Sequence, residues 1–257
     1  MSVQKSWREL QTMARACRIV VDALDALEAA AVPGTTTKEM DRIARERIEK
    51  AGARPAFLGY RGYPATLCIS VNEEVVHGLA GSRRLGFGDI VSLDVGVLYR
   101  GFIGDNACTV PAGGCSPLAQ KLIDITERAL YEGIAQALPG HRVADVSAAI
   151  QRFVEGHGFN VVREFVGHGV GRSMHEEPQV PNYVDGKSSP RLRPGMTIAI
   201  EPMVNAGTAA VRVLPDGWTV VSQDGLPSAH FEQTVLITEG EPEILTCRER
   251  MPVLQAA

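Results

Sequence analysis

The chain has 257 residues, 45% of them apolar, 22% charged and 5% aromatic, which excludes a disordered, collagen-like or disulfide-stapled protein. A net charge of −4, with 26 Lys and Arg scattered along the chain, argues against a nucleic-acid site or attraction to anionic lipid. No stretch approaches the ~18 consecutive apolar residues of a membrane span, and Met-Ser-Val-Gln-Lys-Ser-Trp-Arg lacks the apolar segment of a secretory leader.

Leu10, Met13, Cys17, Val20, Val21, Leu24 and Leu27 recur at three- and four-residue steps, which predicts a helix from Ser6 to about Ala31. Pro33-Gly34 ends it, and Thr36 or Thr37 caps a second helix running through Met40, Ile43, Ala44 and Ile48 toward Gly52. Leu58-Gly-Tyr-Arg-Gly-Tyr-Pro64 reads as loop. Strands are expected over 66–71 and 90–99, and Arg100-Gly101 turns the second back through 102–110 as a hairpin. The five cysteines (Cys17, Cys68, Cys108, Cys115, Cys247) are odd in number and form no C-x-x-C, so reduced thiols in a cytoplasmic protein are expected.

The second half repeats the first. Val32-Pro-Gly34 opens a helical stretch that closes at Gly52, and Leu138-Pro-Gly140 opens another that closes at Gly158. Both pairs of glycines are 106 residues apart. Gly88-Asp-Ile-Val-Ser-Leu-Asp94 resembles Gly195-Met-Thr-Ile-Ala-Ile-Glu201 at a spacing of 107. A single α/β domain over 1–257 is expected, duplicated about 32–112 and 138–215, with each copy reading helix, helix, strands. Packed about a pseudo-twofold axis, the copies bring Asp94 and Glu201 together, each ending a buried strand. Two acids converging in a core raise each other's pKa, and a divalent cation relieves the conflict.

Further candidate ligands follow. Asp105 lies eleven residues beyond Asp94, across the hairpin turn that should place the two nearly side by side. Glu232 is an acid within the alternating strand pattern of 229–237, and His168 is held between glycines in Val166-Gly-His-Gly-Val-Gly171. Four carboxylates and one imidazole can supply terminal and bridging ligands to two cations ~3.5–4 Å apart, as in two-metal hydrolases. An oxygen-rich set without thiolates suits Mn, Fe(II), Co or Zn.

The joint pattern of Asp-x10-Asp, Gly-His-Gly, a second histidine, Glu-Pro-Met and Phe-Glu-x-Thr resembles the methionine aminopeptidases of the M24 metallopeptidases, in their short bacterial type I form. Tyr63-Pro64, the block from Ile69 to His77-Gly, Gly-His168-Gly-Val-Gly-Arg-Ser-Met-His175-Glu-Glu-Pro and Asp-Gly-Trp218-Thr-Val carry the resemblance further. Only 26 positions separate His175 from Glu201, too few for the helical insertion of the type II enzymes. The resemblance implies the pita-bread fold, a pseudo-twofold duplicated α/β structure with an antiparallel-rich central sheet and flanking helices.

It also implies roles. Asp94, Asp105, His168, Glu201 and Glu232 match the family's ligands to two divalent cations, with Asp105 and Glu232 bridging. His77 and His175 match its substrate-contacting histidines, His175 near the scissile carbonyl, and Glu201 is a candidate general base. Tyr63, Cys68, Met174 and Trp218, with Tyr60 at the margin, match the lining of the methionine pocket, so Cys68 is expected as a wall rather than a nucleophile. The implied reaction removes initiator methionine from nascent chains whose second residue is small, near the ribosome, by a monomer. Ser2 makes the protein's own Met1 a candidate substrate. Alternatives on the same fold are a proline-directed peptidase, usually preceded by a separate N-terminal domain, and a non-catalytic peptide-binding protein. The chain departs from the family at Gln233, where His is usual (a histidine stands at 230 instead), at Met174 for Phe and at Phe57 for Cys. These differences bear on metal preference and substrate breadth and remove no ligand.

Overall fold

The structure, a computed structural model, describes residues 4–186 and 188–248, so the expectation concerning Met1 and Ser2 lies outside the described residues. Four helices flank the sheets: α1 (Trp7–Ala30), α2 (Thr37–Lys50), α3 (Pro117–Ile134) and α4 (Val143–Gly156). Their starts follow from local chemistry. The Glu9 carboxylate accepts from both the backbone N–H and the hydroxyl of Ser6 ahead of α1. The hydroxyl oxygens of Thr36 and Ser116 accept from Glu39 and Ala119 N–H, satisfying donors that a first helical turn leaves unpaired.

The central sheet has nine strands. They are β1 (Arg54–Pro55), β2 (Cys68–Val71), β3 (Ile90–Tyr99), β4 (Phe102–Pro111), β5 (Gly167–Gly169), β6 (Glu176–Val180), β7 (Thr197–Ile200), β8 (Glu232–Leu236) and β9 (Glu243–Ile244). Their order is β1-β3-β4-β8-β7-β5-β6, with β2 also on β3 and β9 also on β8, and every pairing is antiparallel. Two small three-stranded sheets complete the fold, one from Glu74–Val76, Val211–Val213 and Val220–Ser222, the other from Asn160–Val161, Met203–Asn205 and Ser228–His230.

Side chains alternate along a strand, and this decides what each face does. Val91, Leu93, Val95 and Val97 of β3 are fully buried in one core with Val20, Leu24 and Leu27 of α1 and Met40 and Ile48 of α2. Ile198 and Ile200 of β7 and Val235 of β8 pack likewise with α3 and α4. The alternate positions, including Asp94, turn to the opposite face. Hydrophobic burial thus clamps the acid-bearing strands from behind.

Three local expectations need correction. The strand expected from Thr66 begins at Cys68, because Thr66 and Leu67 N–H donate to Asp41 Oδ1 on α2 (2.7 and 3.3 Å) instead of to a neighbouring strand. The 229–237 run is two strands divided at Phe231, and its halves join different sheets. Asp94 stands in the middle of β3, while Glu201 immediately follows β7.

Gly104 lets α1 lie directly on β4: a β-carbon there would stand 2.6 Å from the Cys17 backbone nitrogen. Backbone cannot rotate out of the way as a side chain can. Gly104→Ala is therefore expected to destabilise the protein by about 1–3 kcal/mol or more, as overpacked cores do, read as a lower urea midpoint with an unchanged slope.

Candidate active site

Register brings the acids together. Asp94 on β3 and Glu232 on β8 both pair with Ala107 of the intervening β4, so they flank it in one row across three strands. Asp105 lies two residues along β4, opposite Gly96, and shares that face. Asp94 and Asp105 are therefore diagonal neighbours across the hairpin rather than directly opposed. Glu201 follows β7, which pairs with β8, and His168 on β5 pairs with Ala199 of β7. Gly167 and Gly169 allow this packing, since a β-carbon at either would stand 2.4 Å from a backbone carbonyl oxygen, that of Ala199 or of Glu177.

The His168 ring is oriented for ligation. Its Nδ1–H donates to the Gly169 carbonyl (2.9 Å), which leaves Nε2 facing Glu201 Oε1 at 3.4 Å and Asp105 Oδ2 at 3.8 Å. Burial, with the neighbouring His175, lowers its pKa to about 4, so that nitrogen keeps its lone pair at neutral pH. Ligand atoms of Asp105, His168 and Glu232 all lie within 4.8 Å of one another, and all three residues are buried.

Without a cation this arrangement is costly. Burial raises Asp105 to about 7. Burial and the Asp105 charge hold Asp94, Glu201 and Glu232 well above the usual carboxylate range. Asp94 Oδ1, Asp105 Oδ1 and Glu232 Oε1 are buried with no hydrogen-bond partner. Converging acids with orphaned oxygens beside a neutral imidazole fit a divalent cation site, and the donors suit a borderline or hard metal.

All eleven site residues singled out from the sequence line one cavity of about 250 Å³. Tyr63, Cys68 and Met174 form an apolar wall, with the Trp218 ring edge-on to Tyr63 at 5.1 Å. Burial and the Asp94 charge push the Cys68 thiol up, so it remains protonated, as a pocket wall requires. His77 adopts a left-handed backbone (φ 60°), an uncommon conformation for a residue with a side chain, and its ring meets Phe165 edge-on at 5.3 Å. His175 is exposed at the mouth, on a loop tied down by Glu176. That carboxylate accepts from Arg172 N–H (2.7 Å) and Ser173 N–H (3.2 Å) and pairs with Lys5 Nζ at 2.8 Å.

Sequence reasoning missed Phe165, Met203 and Arg61 as lining residues and gave no site role to His230. His230 is 2% exposed, and its unpartnered Nε2 lies 3.7 Å from Glu201 Oε2. Its position two residues before Glu232 was the available signal. Gln233, by contrast, points away from the acids and accepts from the Thr246 hydroxyl.

Gly96 leaves room for the apolar wall. A β-carbon there would stand 2.7 Å from Phe57 Cε1 and 2.8 Å from Met174 Cε, displacing both side chains toward the cavity. One misplaced methyl in such a pocket is worth roughly 10–200-fold in discrimination. Gly96→Ala is accordingly expected to raise KM for Met-Ala-Ser within that range while kcat changes far less, measured by steady-state kinetics.

Residues 11–239 match the model of metallopeptidase family M24. The chain is 50% identical over 246 residues to methionine aminopeptidase 1 of Bacillus subtilis, covering 96% of this chain and 99% of that one. It is 49% identical over 250 residues to the methionine aminopeptidase of Aquifex aeolicus, covering 94% and 97%. The crystal structure of methionine aminopeptidase from Thermotoga maritima superposes with a TM-score of 0.94 at 46% identity, over 96% of this chain and 99% of that one. A prolidase from Pyrococcus furiosus is more distant, with a TM-score of 0.78 at 25% identity, over 97% of this chain and 66% of that one.

Proposed function

The chain belongs to metallopeptidase family M24 and removes N-terminal methionine by metal-dependent hydrolysis, and we propose that Asp94, Asp105, His168, Glu201 and Glu232 hold two divalent cations for that reaction. The observation that carries the assignment is the clustering of Asp105, Glu201 and Glu232 about His168, with Asp94 beside Asp105 on the same sheet face, three of the four acids keeping an orphaned buried oxygen. Mn, Fe(II), Co and Zn all suit the donor set. Bound there, the cations supply Lewis acidity, which polarises a carbonyl and acidifies water.

This chain's residues supply the rest. The wall of Tyr63, Cys68, Met174 and Trp218 receives the methionine side chain, whose polarisable thioether packs well on aromatic and sulfur groups. Phe165 and His77 narrow the neighbouring side, which favours a small second residue. Glu201 accepts the proton given up by the attacking water. His175 donates to the oxygen of the scissile carbonyl as it gains charge, and His77 contacts the first residues of the substrate. With the Cys68 thiol held protonated, attack by water leaves no acyl group on the protein.

We further propose, from the family resemblance, that the substrates are nascent polypeptides, met in the cytoplasm near the ribosome by a monomer. We read the chain as duplicated over 32–112 and 138–215, which would put Asp94 and Asp105 in one copy and Glu201 in the other.

The distant likeness to prolidase makes proline-directed cleavage the competing reaction. Hydrolysis of Met-Ala-Ser and Ala-Pro-Ala by the metal-loaded protein separates them. Release of Met from the first peptide, with the second untouched, is expected. Cleavage of Ala-Pro-Ala alone would overturn the assignment, and binding of peptide without hydrolysis would make the protein a non-catalytic receptor.

A further inference from the structure

The turn that carries Tyr60 does more than line the cavity. Tyr60 Oη lies 2.8 Å from His175 Nδ1, and the two rings stack at 5.5 Å with an interplanar angle of 20°. His175 in turn lies 4.3 Å, centroid to centroid, from His168. The Arg61 guanidinium stands 5.4 Å from the centre of the Tyr60 ring. A cation, a phenol and two imidazoles thus form a chain of contacts leading to the acids.

We propose that Tyr60 is a positioning residue: its hydroxyl donates to His175 Nδ1 and so fixes His175 as the tautomer that carries its proton on Nε2. The inference rests on the role proposed above for His175. A neutral imidazole has one N–H, and the hydrogen bond made by one ring nitrogen decides whether the other donates or accepts. Donation from Tyr60 leaves Nε2–H free to meet a developing oxyanion. The opposite polarity would leave a lone pair there, which repels the oxyanion. The Arg61 charge over the phenol ring favours the first arrangement, because it draws electron density from the hydroxyl and so improves it as a donor.

The turn is built for fixed placement. Tyr60–Gly62 is a single 3-10 turn in which Arg61 adopts a left-handed backbone (φ 50°, ψ 21°), following Gly59 at φ 82°. Strained backbone of this kind persists only where its surroundings hold it. Phe57 and Tyr63, which flank the turn, line the same cavity. A side chain filling that cavity therefore presses on the element that orients His175.

The test uses the zinc-loaded protein labelled with 15N-histidine, with steady-state kinetics on Met-Ala-Ser. Tyr60→Phe keeps the ring and its stacking and removes only the hydroxyl. We expect kcat to fall roughly 10–100-fold, short of the 10²–10³ that a lost oxyanion donor costs, with KM changed less than threefold. The His175 nitrogen shifts should move from a protonated Nε2 toward a mixture of tautomers. In a His175→Ala background, Tyr60→Phe should have no further effect on kcat, because the hydroxyl acts only through that ring. Unchanged kcat and unchanged nitrogen shifts in Tyr60→Phe, beside a large loss in His175→Ala, would overturn the positioning role alone. A His175→Ala enzyme with undiminished kcat would overturn the His175 reading and the inference with it.

Discussion

Replacing Asp105 with Asn will lower Met-Ala-Ser hydrolysis by more than the roughly 10–100-fold that changes beyond the metal's direct ligands produce. The same change will make the metal-free protein more stable at pH 8. Both effects have one cause. Asp105 is 3% exposed, shares a face with Asp94 and Glu232, and leaves one carboxylate oxygen with no partner. Burial raises it from 3.8 to about 7, so at pH 8 folding must bury a carboxylate that is already ionised, at a cost of about 4 kcal/mol. Asparagine removes that charge and also eases the repulsion felt by its three acidic neighbours. With the anion gone, added metal should no longer raise the melting temperature of the variant. The measurement is thermal unfolding of both proteins in EDTA and in Zn at pH 8. A metal-free variant less stable than its parent would show that Asp105 serves the fold through a contact other than a cation.

Removing metal should reverse the pH dependence of stability above neutrality. Acids whose folded-state pKa is raised contribute stability that is fully present below their unfolded values and is lost as pH rises through the folded ones. Asp105 titrates near 7 and the other three acids above the ordinary range. Histidines buried in their neutral form act in the opposite sense. His77 and His168, at about 4, and His230, at about 3, contribute stability that grows as pH rises toward 6.5. The two groups oppose one another between about pH 4 and 6.5, and above that only the acids change. In EDTA, the melting temperature should therefore fall steadily from pH 6.5 to 8.5. With Zn or Mn it should hold or rise over the same interval, because the cation binds the ionised acids and only in the folded state. Parallel curves with and without metal would mean that the acids are neutralised by something other than a cation.

What the sequence made legible was what repeats or alternates. The 3.6-residue period of Leu10 to Leu27 and the capping threonine at 36 or 37 mark the starts of α1 and α2 to within a residue. The matched spacings of Gly34 with Gly140 and Gly52 with Gly158 bracket two observed helices of equal length, α2 and α4. The acids stood out because each interrupts an apolar or alternating run, and a lone carboxylate in such a run calls for a partner.

Long-range register was not legible. Within the hairpin the two-residue turn at Arg100-Gly101 does fix the register, pairing Tyr99 with Phe102 and hence Gly96 with Asp105, so the side-by-side reading of Asp94 and Asp105 missed by two residues what the turn encodes. The break at Phe231 depends on Met203–Asn205 competing for Ser228–His230, a pairing between segments far apart in sequence. His230 and Tyr60 were underrated for a related reason. Their importance lies in a nitrogen left without a partner and a hydroxyl 2.8 Å from a ring, and both are properties of the packed structure.

The most direct test is the rate of methionine release from Met-Ala-Ser by metal-stripped protein as Mn, Fe(II), Co or Zn is added in measured equivalents. The proposed site predicts no hydrolysis before metal is added. Activity should then rise to a plateau by two equivalents per chain and disappear again on chelation. Full activity in the stripped protein, or a plateau unaffected when Asp105 and Glu232 are replaced by their amides, would contradict it.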